Sequence, residues 1–185
     1  MKKNFRNFFL FFLLLGTGAV AVSQQVFAAE GAYYTKVNIW YEKPEKILST
    51  NYHKGSMIPV GSEVRVLKSN SKKIEFMDDK GTKFRIKLVK DYTNLEEQQF
   101  FDRYFSKENI LNGDQYHSFS NMEKENIKTG TLREGMSKEA VLVAYGYPPT
   151  HRTPSTDYDS WVYWKSRMGN FTAMFKDGKL VGSYL

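Results

Sequence analysis

One helix is bounded at both ends by residues whose preferences agree, and the segment after it must fold against that helix. Ser137 offers a hydroxyl to an unpaired backbone N–H of a first helical turn. Met136 before it and Val141 after it are spaced to staple that turn. Lys138–Tyr145 makes about two turns, with Val141, Ala144 and Tyr145 on one face. Gly146 supplies a left-handed terminator and Pro148 blocks resumption. After a polar loop, His151–Asp159, the run Trp161-Val162-Tyr163-Trp164 is aromatic and β-prone, with Trp161 and Tyr163 sharing the core-facing side. Phe171, Ala173 and Phe175 alternate with Thr172 and Met174. Asp177-Gly178 suits a tight hairpin turn, which needs positive φ, and Leu180–Leu185 pairs back as the last strand. The expectation is a short helix feeding a three-stranded antiparallel meander.

Upstream, Ser120 and Glu123 form a capping box that opens a helix over Asn121–Lys128, ended by Gly130. Thr93 and Glu96 read as another box. It opens a connecting helix in which Leu95, Gln99, Phe100, Arg103 and Tyr104 keep helical spacing to about Phe105. Asn109–Ser118 is polar and reads as loop. From Ala32 to about Tyr92 the period is two: Val37, Ile39 and Tyr41; Val64 and Val66; Ile74 and Phe76; Phe84, Ile86 and Leu88. Breaks fall at Lys54-Gly55-Ser56, Pro59, Gly61, Ser69-Asn70-Ser71 and Asp79-Lys80-Gly81. Short strands at such spacing predict a small all-β sheet or barrel.

Ile127, Gly135-Met136-Ser137, Val141, Gly146-Tyr147-Pro148, Trp161 with Tyr163, and the phenylalanine strand before Asp177-Gly178 resemble the BamE/SmpA-like domain of bacterial outer-membrane assembly lipoproteins. The resemblance covers roughly Ser120–Leu185. It implies two helices followed by a three-stranded antiparallel sheet, and a protein-interaction role without catalysis. Ile58–Val64 resembles, over that one segment, the entry to a strand of bacterial SH3-like barrels. The expected fold is therefore α+β: a small β module over 29–92, a connecting helix and loop over 93–118, and an ααβββ domain over 119–185.

Lys2, Lys3 and Arg6 precede an apolar run, Phe8–Leu15, and small residues ending at Val26-Phe27-Ala28, the pattern of a secretory signal cleaved after Ala28. The expected location is the periplasm or the outer-membrane periphery. There are no cysteines, so disulfides are excluded and the lipid attachment of an outer-membrane lipoprotein is not expected. Stability has to come from packing, and aromatic residues at 16% of the chain supply material for it. Residues 29–92 carry 13 Lys/Arg against 8 Asp/Glu, whereas 93–185 carry 11 against 12. For an exported module these cations read either as contact with an anionic envelope surface of lipid or cell-wall glycan or, since Arg85 and Lys87 alternate with Phe84, Ile86 and Leu88, as the solvated outer face of strands, which is the preferred reading; nucleic acid is not expected.

Catalysis has no positive support. His53, His117 and His151 are scattered, no nucleophile elbow, phosphate loop or zinc-protease signature occurs, and no cofactor is expected. Asp157 and Asp159 lie in a serine- and threonine-rich loop that a solvated turn explains equally well. The candidate contact residues are Tyr147, Pro148 and Trp164 at the helix-to-sheet junction, and Arg65, Arg85 and Lys87 on the β module. Trp164 is taken as exposed, so that Trp164→Ala should weaken partner binding and leave stability nearly unchanged. The leading functional expectation is an exported protein that binds another envelope protein and scaffolds an assembly. The alternatives are a glycan- or anionic-lipid-binding module acting through the basic β domain, and an inhibitor of a partner enzyme.

Overall fold

The computed structural model describes residues 31–184, and the expected signal segment with its cleavage after Ala28 lies outside them. The N-terminal half supplies β1 (Ala32–Thr35), β2 (Ile39–Tyr41), β3 (Ile47–Leu48), β4 (Ser56–Ile58), β5 (Glu63–Asn70), β6 (Lys73–Asp78) and β7 (Lys83–Lys87). Then come α1 (Glu97–Tyr104), β8 (Phe105–Ser106), α2 (Asp114–Ser118), α3 (Asn121–Thr129) and α4 (Lys138–Tyr145). The chain closes with β9 (Ser160–Trp164), β10 (Asn170–Lys176) and β11 (Lys179–Tyr184). The fold is α+β.

Six strands form one curled sheet in the order β3-β7-β6-β5-β1-β8. All its pairings are antiparallel except the short parallel contact of β3 with β7. The period-two pattern explains its two faces. Val64, Val66, Ile74, Phe76, Phe84 and Ile86 point inward and are buried, while the residues between them face out. β2 and β4 make a separate two-stranded ribbon.

The helix expected to connect two modules instead packs in the first core. Phe100, Phe101 and Tyr104 of α1 and Phe105 of β8 are buried with the inward residues of the sheet. Directly after α1 the chain pairs with β1, placing Thr35 opposite Phe105 and Tyr34 opposite Ser106. The helix also begins later than expected. Glu96 is its N-cap, in a capping box with Gln99, and Thr93 is buried with its hydroxyl 2.8 Å from that of Ser49. A long-range hydrogen bond displaced a local one. Asn109–Ser118, expected as loop, holds a 3₁₀ turn at Ile110–Asn112 and α2.

In the C-terminal half, α3 and α4 pack on the meander β9-β10-β11 over a core of Ile127, Met136, Val141, Trp161, Tyr163 and Phe171. Asp177 and Gly178 have φ of 51° and 74°, and Lys176 faces Lys179 across the turn, as a two-residue hairpin requires. Glu123 ties the two helices together. Its carboxylate accepts from the backbone N–H and the hydroxyl of Ser120, both at 2.9 Å, and from those of Ser137, both at 2.8 Å. One side chain thereby serves the first turns of α3 and α4.

The two halves share a polar seam. The Asn38 amide donates to the carbonyls of Ile127 (2.7 Å) and Ala144 (2.9 Å), and its oxygen accepts from the Val60 N–H (2.8 Å). Asn51 donates to the Tyr145 carbonyl at 3.0 Å. Its amide lies so close to Gly146, where φ is 81°, that a Cβ there would collide with it.

Candidate functional site

The aromatic candidates sit inside this seam. Pro148 is buried, and Tyr147 is half-buried against the first core with the Arg103 guanidinium 4.6 Å above its ring. Trp164 was expected on an exposed sheet face, but it is half-buried. Its ring stacks on His151 at 6.0 Å, its carbonyl faces the His53 backbone N–H, and its indole nitrogen is enclosed without a hydrogen-bond partner. The physical reason is the 149–158 loop, which folds back over β9 and anchors through the Thr153 hydroxyl to the Val162 N–H at 2.9 Å. Trp161 and Tyr163 are fully buried. Tyr147 and Trp164 are thus engaged between the two halves.

His53 belongs to the same seam. It stacks on Tyr145 with ring centres 3.3 Å apart, and its two ring nitrogens face the Tyr145 and Trp164 carbonyl oxygens. Burial lowers its pKa to about 4, and the two carbonyl acceptors offset this only in part. Burial also raises the phenols of Tyr104 and Tyr145 to about 12. Tyr104 is closed in by packing, whereas His53 and Tyr145 keep part of their surface open. His151 lies against Tyr92 and Trp164, and His117 beside Tyr116. Among the described residues no group of three or more His, Asp or Glu side chains is arranged to hold a metal ion.

The basic candidates occupy a different place. Arg65, Arg85 and Lys87 alternate with buried neighbours and face solvent on the outer side of the six-stranded sheet. Cross-strand register brings more cations to that side. Arg65 lies opposite Met77, which lies opposite Lys83; Lys68 opposite Glu75, opposite Arg85; Asn70 opposite Lys73, opposite Lys87. Over β5, β6 and β7 the face therefore presents Arg65, Lys68, Lys73, Lys83, Arg85 and Lys87 against Glu63 and Glu75. Glu75 takes both Lys73 (2.7 Å) and Arg85 (2.9 Å). Those partners, the Lys73 hydrogen bond foremost, lower its pKa. Strand geometry sets adjacent strands about 5 Å apart and same-face residues of one strand about 7 Å apart, so Lys73 adjoins Lys87, whereas Arg65 and Lys83 stand about 10 Å apart across Met77, and Lys68 and Arg85 about 10 Å apart across Glu75. A bulge beside Lys68 leaves Leu67 exposed among them. The sequence supplied each residue of this face but not the register that joins them.

A separate cleft of about 740 Å³ opens between α3 and the 110–116 segment. Sequence reasoning missed it, because its walls come from four separate segments. No protein-family model, characterised protein or solved structure matches this chain.

Proposed function

We propose that this is an exported, non-enzymatic protein of the cell envelope that works by binding, through the outer face of its six-stranded sheet, to an anionic envelope surface of lipid headgroups or acidic glycan. The observation that carries the reading is the six-cation array on β5, β6 and β7, opposed by two carboxylates. Such a face attracts polyanions and loses that attraction as salt rises, because screening at physiological ionic strength acts over about 8 Å. The envelope location rests on the signal-like pattern from Lys2 to Ala28.

The test is sedimentation of residues 29–185 with vesicles of neutral lipid, and of neutral lipid mixed with phosphatidylglycerol, at increasing salt. A variant carrying Arg65→Glu, Arg85→Glu and Lys87→Glu runs alongside. The expected result is salt-sensitive binding to the anionic vesicles, at least tenfold weaker in the variant. Equal binding to both vesicles, or an unaffected variant, would remove the reading.

The second reading is a protein-binding scaffold, in which the C-terminal unit is a BamE/SmpA-like domain and the N-terminal sheet is SH3-like. It is favoured by the open side of the meander, where Val181 and Tyr184 of the outer strand β11 are 45% and 62% exposed. Its signature is capture of one envelope protein by residues 29–185 that is lost on Tyr184→Glu and retained in the basic-face variant.

A further inference from the structure

We infer that the cleft between α3 and the 110–116 segment binds a small amphiphile with an aliphatic body and a single carboxylate, the chemistry of a medium-chain fatty acid. The cleft is independent of the basic sheet face, and three observations meet in it.

The first is size and lining. At about 740 Å³ it falls within the range of small-molecule sites. Its apolar lining comes from Pro59, Val60, Leu111 and Ile127, with Asn38 beside them. Tyr116 adds an aromatic wall.

The second is that the cleft is preformed. The three hydrogen bonds of Asn38 fix Val60 relative to the carbonyls of Ile127 and Ala144. The Pro59 carbonyl accepts from both the Thr35 and Ser62 hydroxyls at 2.7 Å. Asn109 ties Leu111 to the turn that carries Pro59 and Val60, donating to the Gly61 carbonyl and accepting from the Leu111 N–H. A ligand entering it orders little that is not ordered already, which is the condition for useful affinity in a site this small.

The third is charge at the mouth. Asn121, Lys124, Glu125 and Lys128 follow the i, i+3, i+4, i+7 spacing along the α3 face that borders the opening. Lys124 is held in place by the His117 carbonyl at 2.9 Å, close to the Tyr116 ring, and keeps N–H donors to offer. Lys128 is exposed at the same rim. Against Glu125 the rim carries one net positive charge, which suits one carboxylate beside an apolar lining.

The experiment is a titration of residues 29–185, which hold both cores, with octanoate and with 1-octanol, followed through the methyl resonances of Val60, Leu111 and Ile127. Octanoate should produce saturable shifts confined to these methyls, with 1-octanol at least tenfold weaker. Lys128→Glu should weaken octanoate at least tenfold and leave 1-octanol unchanged. Asn121→Trp, which fills the opening from an exposed helical position, should abolish both. Lys128→Trp serves the same purpose should the first variant be unstable. Arg85→Glu on the sheet face should change nothing, which separates the cleft from the basic surface. Absence of saturable shifts, equal affinity for the alcohol, or octanoate binding that survives both tryptophan variants would overturn the inference.

Discussion

Replacing Glu123 by glutamine removes one charge from the point where two helices begin. The carboxylate accepts from two backbone N–H groups and two hydroxyls, and Lys179 lies 3.5 Å away. The hydroxyls can turn to donate elsewhere, but the backbone groups of Ser120 and Ser137 cannot, so the new amide N–H₂ must face one of them. The expected cost is about 2–4 kcal/mol in urea unfolding, with helical signal lost at the same midpoint as tertiary signal. Burial works against ionisation here, yet the Ser137 and Ser120 donors outweigh it and hold the carboxyl at about 2. Its contribution is therefore complete above the ordinary carboxylate value and is lost as pH falls toward 2. His53 acts in a higher window. Its folded pKa of about 4 lies below the ordinary 6.5, so the unfolded chain binds the proton more readily. The stability from the neutral ring is complete above pH 6.5 and is withdrawn as pH falls to 4. The amount is at most about 3 kcal/mol. Unfolding midpoints of wild type and His53→Phe, measured between pH 7.5 and pH 4, should converge as the pH drops; a constant difference would show that the ring does not titrate in this way.

Among the elements, β9 shows how a strand can be assigned correctly and its outward residue misjudged. Alternation places Trp161 and Tyr163 on one side and Trp164 on the other, which is the observed arrangement. What alternation cannot show is that the 149–158 loop covers the second side. Trp164→Ala is accordingly expected to destabilise the protein by about 1–3 kcal/mol, visible as a lowered thermal midpoint before any ligand is added. An unchanged midpoint would restore the exposed reading. The same distinction runs through the other elements. α3, α4 and the Asp177-Gly178 hairpin are encoded within a few residues, by Ser120 with Glu123, by Ser137 with Gly146, and by the turn pair itself, and all were legible. The start of α1 was not, because Thr93-x-x-Glu96 and Glu96-x-x-Gln99 are overlapping capping boxes and only the distant Ser49 decides between them. β8 has two residues, too few to carry a period. Of the candidate sites, the outward cations were legible from alternation, whereas the cleft required Asn38 and Ile127 to meet across half the chain.

For the whole molecule, two cores joined by Asn38, Asn51 and His53 make a poor match to a cut at residue 92. Removing everything after it takes away Phe100, Phe101, Tyr104 and Phe105, leaving the inner face of the six-stranded sheet uncovered. A fragment of residues 29–92 should show no cooperative unfolding and should bind a hydrophobic dye, whereas residues 29–185 unfold cooperatively. A cooperative transition in the short fragment would show that the sheet alone is a sufficient unit. Binding experiments that compare halves of this chain therefore need variants of the intact protein.

The position of β1 has a consequence for the order of events as the chain is made. It lies between β5 and β8, so one of its two ladders cannot form until Phe105 and Ser106 are free to pair. Contacts this remote in sequence slow folding, because the intervening chain must be closed into a loop first. Until then the strands already formed hold an unpaired edge and an uncovered apolar face, the exposure that invites association with other chains. The lateness of β8 therefore sets how long that open edge persists while the chain folds.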